Sequence, residues 1–198
     1  MPLSRVGPNV SIGTRRLRRT VQRALDGKLR TMTSASTPDP RIVRIDLTDP
    51  RHCAALFALL DEYAAGPTGR GYGLDAEVRH QLPALLAARP HYCGWLAYVG
   101  DEPAGVLNAF EGVSTFKARP LLNIHDIAVS PRWQRHGIGR ALLAAAQAEA
   151  LARGCCKLTL EVLQGNSGAL AAYAQAGFEP YELDPAMGRA VFLEKPLP

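Results

Sequence analysis

Gln134, Gly137 and Gly139 stand between an apolar run and a helical one, a placement suited to holding an anion. Leu121 to Val129 is rich in Leu, Ile and Val, as a strand covered on both faces should be, and Pro131 ends it. Ile138, Ala141, Leu142, Ala145, Ala148 and Ala152 then recur at helical spacing, so a helix begins at the glycines. The N–H groups of Gln134, Arg135, His136, Gly137, Ile138 and Gly139 would point outward with the positive end of the helix dipole behind them, and the glycines let the backbone close on a pyrophosphate. A phosphate-bearing cofactor and a plain helix cap both fit this stretch taken alone. Two further pairs carry polar chemistry. Asn166 and Tyr173 are two helical turns apart, so their side chains share a face. Strand alternation places Asn123, His125, Ile127 and Val129 on one face, with Leu122, Ile124, Asp126 and Ala128 on the other. A histidine of ordinary pKa about 6.5 can take a proton near neutrality, and can equally be satisfied by a backbone carbonyl.

The rest of the chain supplies elements to hold these groups. Arg41 to Leu47 reads as a first strand, and Thr48-Asp49-Pro50 caps a helix reaching about Ala64 with Cys53, Leu56, Phe57 and Leu60 inward. Gly66 to Gly73 is a glycine-rich loop. Leu74 to Arg89 is a second helical region that Pro83 should break or kink. Tyr92 to Val99 and Ala104 to Val113 form a hairpin around Gly100-Asp101-Glu102-Pro103. After the central strand and its helix come a strand Lys157 to Val162, the Asn166 helix, a strand Phe178 to Leu183 and a last strand Arg189 to Glu194.

Composition narrows the function classes. The net charge of +5 is concentrated in residues 1 to 31, where eight Lys or Arg face the single acid Asp26; the remainder holds 15 basic and 17 acidic residues. The body therefore has no excess positive charge for a nucleic-acid backbone, and no nucleic-acid partner is expected. No run of 18 apolar residues exists, so no membrane span is expected either. Four cysteines without C-x-x-C spacing suit a reducing, cytoplasmic setting, with Cys155 and Cys156 as small buried hydrophobes at a strand start. The His and Cys residues lack ligand spacing, so no metal is expected. Residues 1–40 read as a basic extension and Pro-containing linker: an upstream segment read from an early start codon, a basic arm or a presequence. The domain is expected over 41–198.

Read together, V-S-P-R-W-Q-R-H-G-I-G-R-A-L-L (Val129 to Leu143) resembles the central motif of the GNAT superfamily of acetyl-CoA-dependent N-acyltransferases, with Gln134, Gly137 and Gly139 at its defining positions. N-S-G-A-L-A-A-Y-A-Q-A-G-F (Asn166 to Phe178) resembles the second cofactor motif of that family. The likeness covers roughly Arg41 to Pro198. Ser114 to Phe116, His125-Asp126 and the Asn166–Tyr173 pair look most like the polyamine and thialysine acetyltransferases. That branch has Glu-Asp where this chain has His125-Asp126, and Trp where it has Gly165.

The resemblance implies an α/β (α+β) fold: one mixed, mostly antiparallel sheet of about six to seven strands, about four helices, and a splayed parallel strand pair at the cofactor. It implies acetyl-CoA as cosubstrate, held by the loop from Gln134 to Gly139 with Arg140, by the backbone of Ile127, Ala128 and Val129 against pantetheine, and by Asn166 and Tyr173. Tyr173 would be the acid for the departing sulfur; His125, with Asn123 beside it, would be the base, water being the alternative. Asp126, Ser114 and Phe116 would meet a small-molecule amine, and the loops Gly66 to Gly73, Val113 to Arg119 and Asp184 to Gly188 would line its pocket. A homodimer is left open, as are a non-catalytic acyl-CoA-binding domain and acetylation of a protein amine. A Rossmann dinucleotide fold fails, because position 142 is Leu where a third glycine is required and a seven-residue link separates strand from Gly137.

Overall fold

The computed structural model describes residues 39–182, 184, 186, 188 and 190–197. The basic extension expected over residues 1–40 lies outside them except for Asp39 and Pro40. Five strands form one sheet in the order β1 (Arg41–Arg44), β2 (Tyr92–Val99), β3 (Glu102–Ser114), β4 (Arg119–Val129) and β5 (Leu158–Leu160). The first four are antiparallel in sequence, and β4 pairs β5 in parallel. The helices are α1 (Pro50–Ala65), α2 (Ala76–Ala87), α3 (Ile138–Ala152) and α4 (Ser167–Gln175), with a 3-10 turn at Pro131–Trp133.

Each face of the sheet carries its own core. Trp95, Ala97, Leu107, Ala109, Leu122 and Ile124 pack against Ile138, Leu142, Leu143, Ala146 and Ala150 of α3. On the other face Leu96, Tyr98 and Val106 meet Ala55, Leu56, Leu59 and Leu60 of α1 and Leu86 of α2. Leu56, Leu96, Leu107, Leu122 and Leu142 are fully buried, each stabilising the fold by about 1.5–3 kcal/mol through the apolar area removed from water. At Gly105 a Cβ would come within 2.9 Å of Ile138 Cγ2 and 3.1 Å of Leu142 Cδ1, so the absent side chain lets the start of α3 seat directly on β3. Arg153 fixes the other end of α3 by pairing with Glu149 at 2.7 Å and with Glu111 of β3 at 3.0 Å.

Several boundaries and details differ from the sequence reading. α1 starts as expected, its Asp49 carboxylate accepting from Arg51 N at 2.8 Å with Pro50 in the first turn. Its buried stripe, however, runs through Ala55, Leu56, Leu59, Leu60 and Ala64, leaving Cys53 and Phe57 half-buried at its margin. α2 continues through Pro83, because the helix is largely exposed and the Arg79 carbonyl can turn to water in place of the missing N–H. Gly100 and Asp101 alone make the β2–β3 turn, with Glu102 already paired to Val99. The expected sheet of six to seven strands is five among the described residues. Phe178 to Glu182 forms no strand, being interrupted by Pro180, which has no N–H to donate; Leu183 lies outside the described residues. Residues 190–194 form none either, and Val191, Phe192 and Leu193 are exposed with no sheet covering them; Arg189 again lies outside. All four cysteines are free, Cys155 buried and Cys156 half-buried.

Candidate acyl-transfer site

The parallel pair β4–β5 is joined only at Leu122↔Leu158, Asn123↔Thr159 and Ile124↔Leu160. Beyond these residues that edge of β4 has no strand partner among the described residues. This shortens the strand expected over Lys157 to Val162, since the ladder stops where the gap opens. β4 stays paired to β3 as far as Gly105↔Val129, so the backbone groups of Ile127, Ala128 and Val129 that point away from β3 border the gap. One is engaged: Gln134 Nε2 lies 3.4 Å from Val129 O.

The gap leads to the start of α3. Gly137 is its N-cap in the left-handed conformation, φ 80° and ψ −1°, and no side chain caps the helix. The first-turn N–H groups of Ile138, Gly139 and Arg140 have no intrahelical acceptor. Arg135 is also left-handed, φ 67°, so the loop curls twice, a backbone arrangement that suits an anion. Space above the glycines is open: a Cβ on Gly137 would find only Arg140 Nη2 at 3.8 Å, and one on Gly139 only Val129 Cγ2 at 3.7 Å. Arg140 thus reaches back over the cradle. His136 is exposed, its Nδ1 2.8 Å from Gln134 O and its ring edge-on to Trp133. The Trp133 Nε1 beneath the loop is buried without a partner among the described residues. These features fit a diphosphate.

The centre of β4 departs from the expected alternation. Asn108 pairs with Asp126 but Ala109 pairs with Ile124, so His125 is the extra residue of a β-bulge. The bulge resets the strand's two faces. Leu122, Ile124, Ile127 and Val129 all pack on the α3 side, whereas Ala128 packs on the α1 side. Asp126, expected opposite Asn123 and His125, therefore joins the α1 side, where Asn108 Nδ2 donates to its Oδ2 at 3.0 Å. The exposed His125 ring stands edge-on to Phe110 at 5.7 Å. Asn123 is committed elsewhere, its Nδ2 donating to Thr159 Oγ1 across the parallel pair at 3.0 Å.

Tyr173 and Asn166 are carried by α4 and its cap. Asn166 Oδ1 accepts from Ala169 N at 3.1 Å and so starts the helix. Tyr173 is half-buried against Phe178, ring centroids 5.9 Å apart. Burial, and then the neighbouring Tyr63, push its phenol above the ordinary range, so the proton stays on the oxygen. Tyr63, in the last turn of α1, was not singled out from the sequence. Burial, and then the Asp126 charge, raise its phenol too, which places Tyr63 in electrostatic reach of Asp126 and of Tyr173. Ser130 Oγ holds that end of α1 to the end of β4 by donating to Glu62 Oε1 at 3.2 Å. Nothing in a helical pattern distinguishes Tyr63 from any exposed helix aromatic.

Ser114 and Phe116 are not brought to this region. They sit at the β3–β4 turn, where Ser114 pairs with Arg119, and six residues of extended chain separate Arg119 from His125, about 20 Å at the usual strand rise. Ser114 is buried and Phe116 is 93% exposed. The Val113 to Arg119 loop thus stands at the opposite end of β4 from the cradle. A cavity of about 360 Å³ is lined by Arg44, Asp46, Leu86, Arg89, Tyr92 and Cys93, where β1 and β2 meet the end of α2. Among the described residues no group of three His, Cys, Asp or Glu side chains could hold a metal ion, and no helix is long and apolar enough to cross a membrane.

Known proteins resemble the chain. It is 31% identical over 80 residues to a thialysine N-ε-acetyltransferase of Caenorhabditis elegans, covering 40% of this chain and 49% of that protein. It is 38% identical over 84 residues to the N-α-acetyltransferase RimI of Mycobacterium tuberculosis, covering 41% and 51%. The chain thus spans about half the length of these curated relatives. In fold it is similar to an aminoglycoside acetyltransferase from an uncultured soil metagenomic sample, solved with trehalose, at TM-score 0.64 and 21% identity over 80% of this chain and 96% of that one. Residues 53–178, well over half of the sequence, match the acetyltransferase (GNAT) family, and the chain belongs to that family.

Proposed function

We propose that the protein moves an acetyl group from acetyl-CoA directly to a primary amine of a small, cationic acceptor, both substrates being bound together. The observation that carries this reading is the continuity of the left-handed cradle at Gly137 with the unpaired edge of β4. Acetyl-CoA supplies an activated thioester carbonyl. The N–H groups from Arg135 to Gly139 would hold its diphosphate, that of Gln134 already donating to Pro131 O at 3.4 Å; Arg135 and Arg140 would add charge, and the backbone groups of Ile127 and the Val129 N–H would pair with its amides. Tyr173, kept protonated by burial, holds a proton at Oη for a departing thiolate, whose ordinary pKa is about 8.5. His125 is placed at the bulge with an exposed ring and takes a proton from the acceptor nitrogen, directly or through water.

Asn123 is turned from the base to β5, whereas Asn166 opens α4 as its place before the helix implies. Their amides fix β5 and the start of α4, and so set the positions of the gap and of Tyr173. Asp126 and Tyr63 supply a carboxylate and a phenol for the acceptor. The experiment is thiol release from acetyl-CoA with polyamines, lysine analogues, amino acids and aminoglycosides. Turnover with a small cationic amine supports the reading; CoA binding without turnover on any amine replaces it with an acyl-CoA-binding role. The identity to RimI favours a second reading, a protein α-amine, and a peptide with a free N-terminus in the same panel separates the two.

A further inference from the structure

Behind Asp126 stands a polar chain that acetyl transfer itself does not use. Asn108 lies in the middle of β3, 3% exposed, between the fully buried Leu107 and Ala109. Its Oδ1 accepts from Tyr92 Oη at 3.0 Å, and its Nδ2 donates to Asp126 Oδ2 at 3.0 Å. An ionised carboxylate can only accept, so the amide must turn its NH₂ toward Asp126 and its oxygen toward Tyr92. The phenol is then the donor at the far end, and burial, which pushes it well above its ordinary range, keeps that proton in place. The chain has one polarity, from Tyr92 through Asn108 to Asp126. Both ends of a deeply buried amide are satisfied by this arrangement, and a charged Asp126 is its natural terminus. Asp126 Oδ2 is committed to Asn108, while Oδ1 has no partner among the hydrogen bonds of the described residues.

The chemistry decides what such a carboxylate can serve. A nitrogen that attacks a thioester must be neutral, and a fixed negative charge against it would strengthen its hold on its proton. Asp126 is therefore suited to a group that stays positive throughout. Resting on the acetyl-transfer reading above, we propose that Tyr92 and Asn108 are positioning residues that lock the Asp126 carboxylate to receive a second, non-reacting ammonium of the acceptor, so that the protein selects amines carrying another positive charge. The bulge at His125 is what makes this geometry available, since regular alternation would have turned Asp126 to the α3 face.

The test compares two acceptors in the full-length protein, 1,3-diaminopropane and 3-amino-1-propanol, which differ in an ammonium against a hydroxyl. Discrimination is the ratio of their kcat/KM values by thiol release. Wild type should prefer the diamine, and Asp126→Asn should lower the ratio about tenfold or more, as loss of a charge-assisted contact does. Tyr92→Phe keeps the ring against Phe110 and should lower the ratio roughly three- to tenfold, the effect of one hydrogen bond, chiefly through KM for the diamine. In the Asp126→Asn background Tyr92→Phe should leave the ratio where it is. Asn108→Leu should act in the same direction; if it fails to fold, Tyr92→Phe decides. Equal losses on both acceptors, an unchanged ratio, or additive effects in the double variant would reduce the chain to a structural role. A wild type that prefers the amino alcohol, or that ignores both probes while acetylating another amine, overturns the proposal and leaves acetyl transfer standing. No turnover on any amine overturns both.

Discussion

Replacing Gly137 by alanine tests the cradle, and the structure fixes how much should be lost. The backbone there is left-handed, φ 80° and ψ −1°, a conformation that costs an L-residue about 1–2 kcal/mol. The added Cβ meets no obstacle, its nearest heavy atom being Arg140 Nη2 at 3.8 Å. The whole penalty is thus backbone strain, and it can appear in two places. If the loop keeps its shape, Gly137→Ala should melt about 2–8 °C lower and still bind CoA normally. If the loop relaxes instead, stability returns but the N–H groups turn away, and the same energy appears as about five- to thirtyfold weaker CoA binding. Gly139→Ala is the control, since that residue is helical and its Cβ would sit in ordinary contact, 3.7 Å from Val129 Cγ2. Alanine in that first turn adds no strain, so any loss of CoA affinity there reports direct crowding of the ligand. Thermal melts and titration calorimetry with CoA measure both quantities. A Gly137→Ala protein that loses neither stability nor affinity would falsify the reasoning.

The other predictions concern proton transfer and the fold beneath it. Tyr173→Phe keeps the packing on Phe178 and removes only the hydroxyl, so turnover should fall roughly ten- to a thousandfold, the range of a general acid; unaltered turnover under chemistry-limited conditions would assign Tyr173 to packing. His125→Gln should lower kcat/KM at neutral pH, and a mutant with wild-type turnover hands deprotonation to another group or to water. Asp49, bound by the side chain and backbone N–H of Arg51, is held at about 2, below its ordinary value of 3.8. A depressed acid stabilises the fold above its unfolded value and loses that contribution as pH falls toward its folded one. Asp49→Asn keeps a capping oxygen without the charge, so its deficit in denaturant midpoint should be present at pH 7 and disappear between pH 3.8 and about 2; a deficit that persists through this window would show that the cap, and not the charge, was lost.

What was legible before the structure is what adjacent residues decide among themselves. The cradle at Gly137, the Asn166 cap and the length of β2 follow from local spacing, and the fold places them where the spacing put them. The face of Asp126 does not follow, because a single extra residue inverts an alternation of period two, and the bulge at His125 exists only in the register of β4 against β3. Asn108 and Tyr92 were hidden for the same reason: one reads as a stray amide in a strand and the other as a strand aromatic until sixteen residues of hairpin bring them together. Ser114 and Phe116 show the converse, a local likeness that the sheet carries to the wrong end of β4. Residues set by one element's own periodicity could thus be read directly, whereas those whose direction depends on a neighbouring strand could not. The proposed acceptor side draws almost wholly on the second kind: Asp126 is turned by a bulge and held by β3, and Tyr63 arrives on α1. The cofactor side is built from the first. A left-handed glycine cradle therefore announces itself in a single sequence, while the proposed acceptor selectivity depends on long-range register, and the Tyr92→Phe discrimination ratio measures whether that register does the selecting.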